Sequence, residues 1–143
     1  MSIHQISVFL ENRTGQLAEI TGMLAESGID IRAISIAETA DYGVARMIVD
    51  DSSAAASILL SHGNILSMTP VWAVEVPDRP AGLAELLASL SAENVAVEYM
   101  YSLFTHRDGH AYMVLRISDE NAFRAAAEKG AIKIVDNDYL GLK

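Results

Sequence analysis

Apolar residues in the first stretch of the chain recur with a period of two. Ile6, Val8 and Leu10 alternate with Ser7 and Phe9, which predicts a strand. The period then lengthens: Leu17, Ile20 and Leu24 recur at helical spacing, and Gly28 stands where a helix end takes a left-handed residue. A β-branched run (Ile29, Ile31, Ile34, Ile36) predicts a second strand, a turn falls around Asp41-Tyr42-Gly43, and 44–49 predicts a third strand. Asp50-Asp51-Ser52 sets acids and a capping hydroxyl before a helix over 54–62, which Gly63 closes. Residues 64–69 complete the order βαββαβ with a short strand.

The pattern then starts again. An offset of 66 residues places Val8 on Val74, Arg13 on Arg79, and Leu17-Ala18-Glu19 on Leu83-Ala84-Glu85. Leu24, Ile29, Ile31 and Gly43 fall on Leu90, Val95, Val97 and Gly109, and Gly28 falls on Asn94, the next best residue for a left-handed helix end. Matches spread over a whole unit indicate a duplication. The second copy predicts strands at 71–76, 95–104, 111–117 and 132–135, a hairpin at Asp108-Gly109, a helix over 82–93, and a helix over 119–129 capped by Ser118.

The expected fold class is therefore α+β, with two tandem ferredoxin-like βαββαβ units. Each has an antiparallel sheet with its helices on one face, and the expected domains are 1–69 and 70–143. Only Thr69-Pro70 separates the two copies, and units of this size are marginal alone. The copies are expected to pack as an intrachain pseudo-dimer. The second strand of each copy is an edge whose apolar run favours pairing, so a homodimer is also expected.

Composition narrows the function. Of the 143 residues, 51% are apolar and 20% charged, enough for a packed core. A net charge of −9 disfavours nucleic acid, which needs a surplus of Lys and Arg. An RNA-recognition module has the same element order, yet the charge and the absence of its aromatic pair argue against it. There is no cysteine, which removes disulfides, thiolate metal sites and cysteine nucleophiles. No secretory signal and no span-length apolar run is present, so a cytoplasmic protein with no membrane partner is expected.

His106-Arg107-Asp108-Gly109-His110 gathers two imidazoles and a carboxylate. Asp-Gly marks a hairpin turn, however, and a third ligand is missing, so the expectation is an exposed turn without metal. Tyr99 and Tyr101 share a strand parity and serve either ordinary packing or an interface or ligand pocket. No nucleophile–base–acid arrangement and no phosphate loop is suggested, so no enzymatic activity and no cofactor are expected.

The strongest chemical feature is a polar strand-to-helix corner made twice. Asn12-Arg13-Thr14-Gly15 leads into Gln16-Leu17, and Asp78-Arg79-Pro80-Ala81-Gly82 leads into Leu83. Helix starts present unpaired N–H groups and a positive dipole end, which attract a carboxylate. Asn or Asp accepts from an ammonium group, and glycine admits a ligand to the backbone. A free amino acid carries both charges. The same residues are also ordinary helix caps, and chemistry alone leaves both roles open.

The element order, the corners "ENRTGQLAEIT" and "PDRPAGLAELL", and the segments "GIDI" and "NVAV" after the helix resemble the ACT domain. That family comprises regulatory modules that bind amino acids beside metabolic enzymes. The resemblance covers nearly the whole chain as two copies. It implies a stand-alone tandem protein that binds an amino acid where two units meet and signals to a partner metabolic enzyme or regulator. It assigns ligand binding to Asn12, Arg13, Thr14, Gly15, Gln16 and Leu17, and to Asp78, Arg79, Pro80, Ala81, Gly82 and Leu83. Ala81 stands where the first copy has Gly15, with the glycine displaced to Gly82, so the first corner is the stronger candidate. The alternative is a regulatory subunit that acts by protein–protein contact without a ligand.

Overall fold

Burial along Ile3–Glu11 alternates as its pattern requires, and this segment is strand β1. It is followed by α1 (Gln16–Glu26), β2 (Ile31–Glu38), β3 (Tyr42–Val49) and α2 (Ser52–Ser61). Then come β4 (Leu66–Pro77), α3 (Gly82–Ala92), β5 (Val97–Arg107), β6 (His110–Ile117), α4 (Glu120–Glu128), β7 (Lys133–Val135) and α5 (Asn137–Leu140). The computed structural model describes residues 2–11, 13–38 and 41–143.

The chain divides into an N-terminal unit, His4–Thr69 with Gly141–Lys143, and a C-terminal unit, Pro70–Leu140 with Ile3. In the N-terminal unit β3 pairs antiparallel with both β1 and β2, with Val8 opposite Ala45 and Ile34 opposite Met47. One sheet face packs on α1 and α2 through Ile6, Val8, Ile20, Leu24, Ile29, Met47, Val49 and Leu59. In the C-terminal unit the strand order is β7-β4-β6-β5, all antiparallel. Its core joins Trp72, Val74, Leu86, Leu90, Val95, Leu115 and Phe123. The 66-residue offset carries Ile6 to Trp72, Val8 to Val74, Ile20 to Leu86, Leu24 to Leu90 and Ile29 to Val95. The two cores therefore use equivalent positions.

Several local expectations are corrected. Ser52 and Ser118 are not the helix caps: Asp51 accepts from the Ala54 N–H at 3.1 Å, and Asp119 accepts from the Ala122 N–H at 3.0 Å. Ser118 Oγ instead accepts from the Ala96 N–H at 3.1 Å. The segments 64–69 and 71–76 are not separate strands, because β4 runs through Pro70. Helix α5 follows β7 where the βαββαβ order ends, outside the elements expected from the repeat. Gly28 and Asn94 do adopt left-handed backbone, with φ of 71° and 60°. His62 is the C-cap of α2, and its Nδ1 lies 2.9 Å from the Ile58 carbonyl.

Candidate functional site

The two corners share an ion pair and differ in their glycines. Arg13 donates to both carboxylate oxygens of Glu19 at 3.1 and 2.9 Å, and Arg79 pairs with Glu85 at 2.6 Å. The hydrogen bond from Arg13 is the main reason the Glu19 carboxyl lies below its ordinary range. Each arginine reaches over the first turn of the helix it precedes. Each therefore already has a carboxylate partner, which a bound ligand carboxylate would have to share.

Gly15 has φ of +89°, and a Cβ there would meet no atom within 4 Å. This glycine is required by backbone conformation. Ala81 at the matching position has φ of −94° and needs no glycine. Gly82 answers a different need, since a Cβ there would overlap the Pro77 carbonyl oxygen. The helix start lies too close to the strand end for any side chain.

A compensating exchange accompanies this shift. In the first corner Gln16, buried to 8% exposure, accepts the Glu11 N–H through Oε1 at 2.7 Å. The offset turns Glu11 into Pro77 and Gln16 into Gly82. Proline has no N–H, so donor and acceptor disappear together and no buried group is orphaned. Among the other sequence candidates, Thr14, Leu17, Pro80 and Leu83 are exposed, and the Asp78 N–H donates to the Gly109 carbonyl at 2.9 Å. Asn12 lies outside the described residues.

The corner helices also differ from the other two at their N-termini. Neither α1 nor α3 has a side-chain cap, whereas α2 and α4 are capped by aspartates. The first-turn N–H groups of α1 and α3 are thus left to backbone, solvent or ligand.

A cleft lies beside each helix start. The one at the second corner measures about 310 Å³ and is lined by Glu75, Pro77, Gly82, Leu86, His110 and Lys133, among others. The equivalent cleft at the first corner measures about 120 Å³ and includes Glu11, Arg13, Gln16 and Asn64. The side chain of Gln16 stands where Gly82 leaves room, which accounts for part of the difference. Small-molecule pockets begin at about 300 Å³. By volume the second corner is the better cleft, although the residue pattern ranks the first corner higher.

Glu75 is a functional candidate that the corner motifs do not include. Its signal was a lone carboxylate within the apolar run 71–76. It sits opposite Tyr112 on β6 and opposite Lys133 on β7. Lys133 Nζ lies 3.0 Å from Glu75, and Tyr112 Oη donates to it at 3.1 Å. Burial alone would raise the Glu75 carboxyl, but hydrogen bonds from Lys133 and Tyr112 together with nearby positive charge hold it below the usual carboxylate range. Burial and its two hydroxyl and carboxylate neighbours push Tyr112 the opposite way, well above ordinary tyrosine.

A pH dependence follows from the Glu75 shift. Its folded pKa is depressed, so Glu75 adds stability above the unfolded carboxylate value of about 4.3, and that contribution is lost as pH falls through the folded value. Denaturant titrations below pH 5 should show a shallower acid loss in Glu75→Gln than in the parent. Identical slopes would mean the network contributes nothing.

Among the described residues no cluster of His, Asp or Glu suits a metal ion, and no helix is long and apolar enough to cross a membrane. His106 Nδ1 and His110 Nδ1 face the carbonyls of Phe104 and Asp108, at 3.5 and 3.2 Å.

The sequence profile described as the ACT domain pair matches residues 1–141. A crystal structure of a protein from Bacteroides thetaiotaomicron is 35% identical over 99% of this chain and 96% of its own, with a TM-score of 0.90. The ligand-free regulatory subunit of aspartate kinase from Thermus thermophilus is 17% identical, covering 90% of this chain and 91% of its own, with a TM-score of 0.66. The corresponding subunit from Thermus flavus is 18% identical over 90% and 93%, with a TM-score of 0.60. No curated protein sequence matches the chain significantly.

Proposed function

Because the chain belongs to the ACT domain pair family, we propose that it is a non-enzymatic regulatory protein that binds a free amino acid at its strand-to-helix corners. Ligand binding there changes the state that a partner metabolic enzyme or regulator reads. The observation that carries this reading is the cleft of about 310 Å³ at the start of α3, a helix without a side-chain cap. It joins the ammonium of Lys133 for a carboxylate to the carboxylates of Glu75 and Glu85 for an ammonium group. The fold shared with regulatory subunits of aspartate kinase is consistent with this role.

The test is a thermal-shift panel of the twenty amino acids at millimolar concentration. Saturation at a hundredfold over Kd is worth about 2.7 kcal/mol, a readily measured rise in Tm. A panel with no response removes the proposal. The responding site follows from two variants. Asn12→Ala abolishes the response if the first corner holds the ligand. Ser89→Leu, which narrows the second cleft, abolishes it if the second corner does.

The Arg13–Glu19 and Arg79–Glu85 pairs favour one alternative, because both corner arginines are already engaged. In that case the protein regulates by contact alone. Leu17, Leu83 and Leu87 are then available to a partner, being partly exposed on α1 and α3. This alternative expects a silent amino-acid panel together with a stable complex in pull-down.

A further inference from the structure

Resting on the amino-acid reading above, we propose that the second cleft reports its occupancy to helix α5 through Glu75, Tyr112 and Tyr139. Glu75 and Lys133 both line the cleft and are bound to each other at 3.0 Å. Tyr112 Oη lies 3.1 Å from Glu75 and 2.8 Å from Tyr139 Oη. The two tyrosine rings are tilted by 60° with centroids 5.7 Å apart. The guanidinium carbon of Arg107 stands 4.2 Å from the Tyr139 ring centroid, a cation–π contact on the same side chain.

The direction of the protons follows from their number. An ionised carboxylate only accepts, so Tyr112 donates its single proton to Glu75. Tyr112 must then accept from Tyr139. The chain is polarised toward the cleft, and each bond strengthens the next.

Helix α5 has four residues, far fewer than a helix needs to hold itself. Its position depends on what Tyr139 and the buried Leu140 touch. A zwitterion matches the Glu75–Lys133 pair in both charges. Its ammonium group takes the carboxylate and its carboxylate takes the ammonium of Lys133. Lys133 holds Oε2 of Glu75 and Tyr112 holds Oε1. An ammonium group that draws the carboxylate into the cleft therefore lengthens the Tyr112 bond, weakens the polarised chain and loosens α5. The cleft is thus joined to α5 by one hydrogen-bonded chain that the ligand weakens.

Hydrogen exchange of the α5 amides tests this, with the α3 amides as an internal reference. In Glu75→Gln without ligand, α5 exchanges roughly tenfold faster while α3 is unchanged, since the bond from Tyr112 loses its charged acceptor. In Tyr112→Phe the further change Glu75→Gln adds nothing. Equal acceleration of α3 and α5, or none at all, overturns the coupling. The amino-acid panel separates the two readings. A ligand that raises Tm and speeds α5 exchange in the parent, but not in Tyr112→Phe, supports the coupling. One that raises Tm and leaves α5 unchanged refutes the coupling and preserves binding. If no amino acid raises Tm, the binding reading falls, and the Glu75→Gln comparison alone decides whether Glu75 holds α5.

Discussion

Phe123→Ala lowers the stability of the C-terminal unit by about 3–5 kcal/mol. Phe123 is fully buried on α4, and its ring lies 5.1 Å from that of Trp72 on β4. Removing it withdraws the largest apolar side chain that α4 contributes to the sheet and leaves a void that the rigid strands cannot close. A unit of this size holds a modest reserve, so a loss of that size leaves little of it. Trp72 is the single tryptophan of the chain and reports this unit directly. Its fluorescence transition in urea should move to markedly lower concentration. Phe104→Ala is the control, because Phe104 is 60% exposed and its loss should cost no more than about 0.5 kcal/mol. A Trp72 transition that stays in place after Phe123→Ala would show that α4 does not anchor the unit.

Gly82→Ala and Gly15→Ala should both destabilise, for different reasons that a second substitution separates. At Gly82 the backbone is ordinary and the obstacle is the Pro77 carbonyl, so α3 must move away from the strand end. Overpacking against backbone costs about 1–3 kcal/mol, occasionally more. At Gly15 nothing is in the way, and the cost of about 1–2 kcal/mol comes from φ of +89° alone. Asparagine tolerates left-handed backbone, so Gly15→Asn should recover most of the loss. Gly82→Asn should be worse than Gly82→Ala, because it adds bulk where none fits. Equilibrium denaturation of the four variants decides the matter. If asparagine rescues both positions or neither, the two glycines do not have the separate roles described.

The repeat was legible because each copy must satisfy the same periodicities. Core positions such as Ile20 and Leu86, or Leu24 and Leu90, recur at helical spacing in both halves. The helix ends at Gly28 and Asn94 were legible because few residues accept their backbone. The caps lie one residue away from the expected serines. Ser52 and Asp51, like Ser118 and Asp119, are adjacent residues of equal capping chemistry, and only the path of the backbone chooses between them. Pro70 read as a boundary because proline cannot donate within a ladder, yet β4 accommodates it. Its carbonyl accepts from Arg116 at 2.9 Å. Helix α5 is too short to show any period.

The corners divide in the same way. Sequence by itself determined the strand-to-helix architecture, its duplication and the residues that form each corner, because these follow from periodicity and from local backbone preference. Tertiary structure alone decided what the displaced glycine does. Gly82 packs under a carbonyl five residues earlier, and the Glu11–Gln16 bond is replaced by a proline and a void. Tertiary structure also joined Glu75 to Tyr112, Lys133 and Tyr139, residues scattered over the second half of the chain. A lone carboxylate in an apolar strand has no partner within reach along the chain. Its charge is tolerable only because strand pairing brings a lysine and a hydroxyl beside it, and no local pattern records which strands will pair.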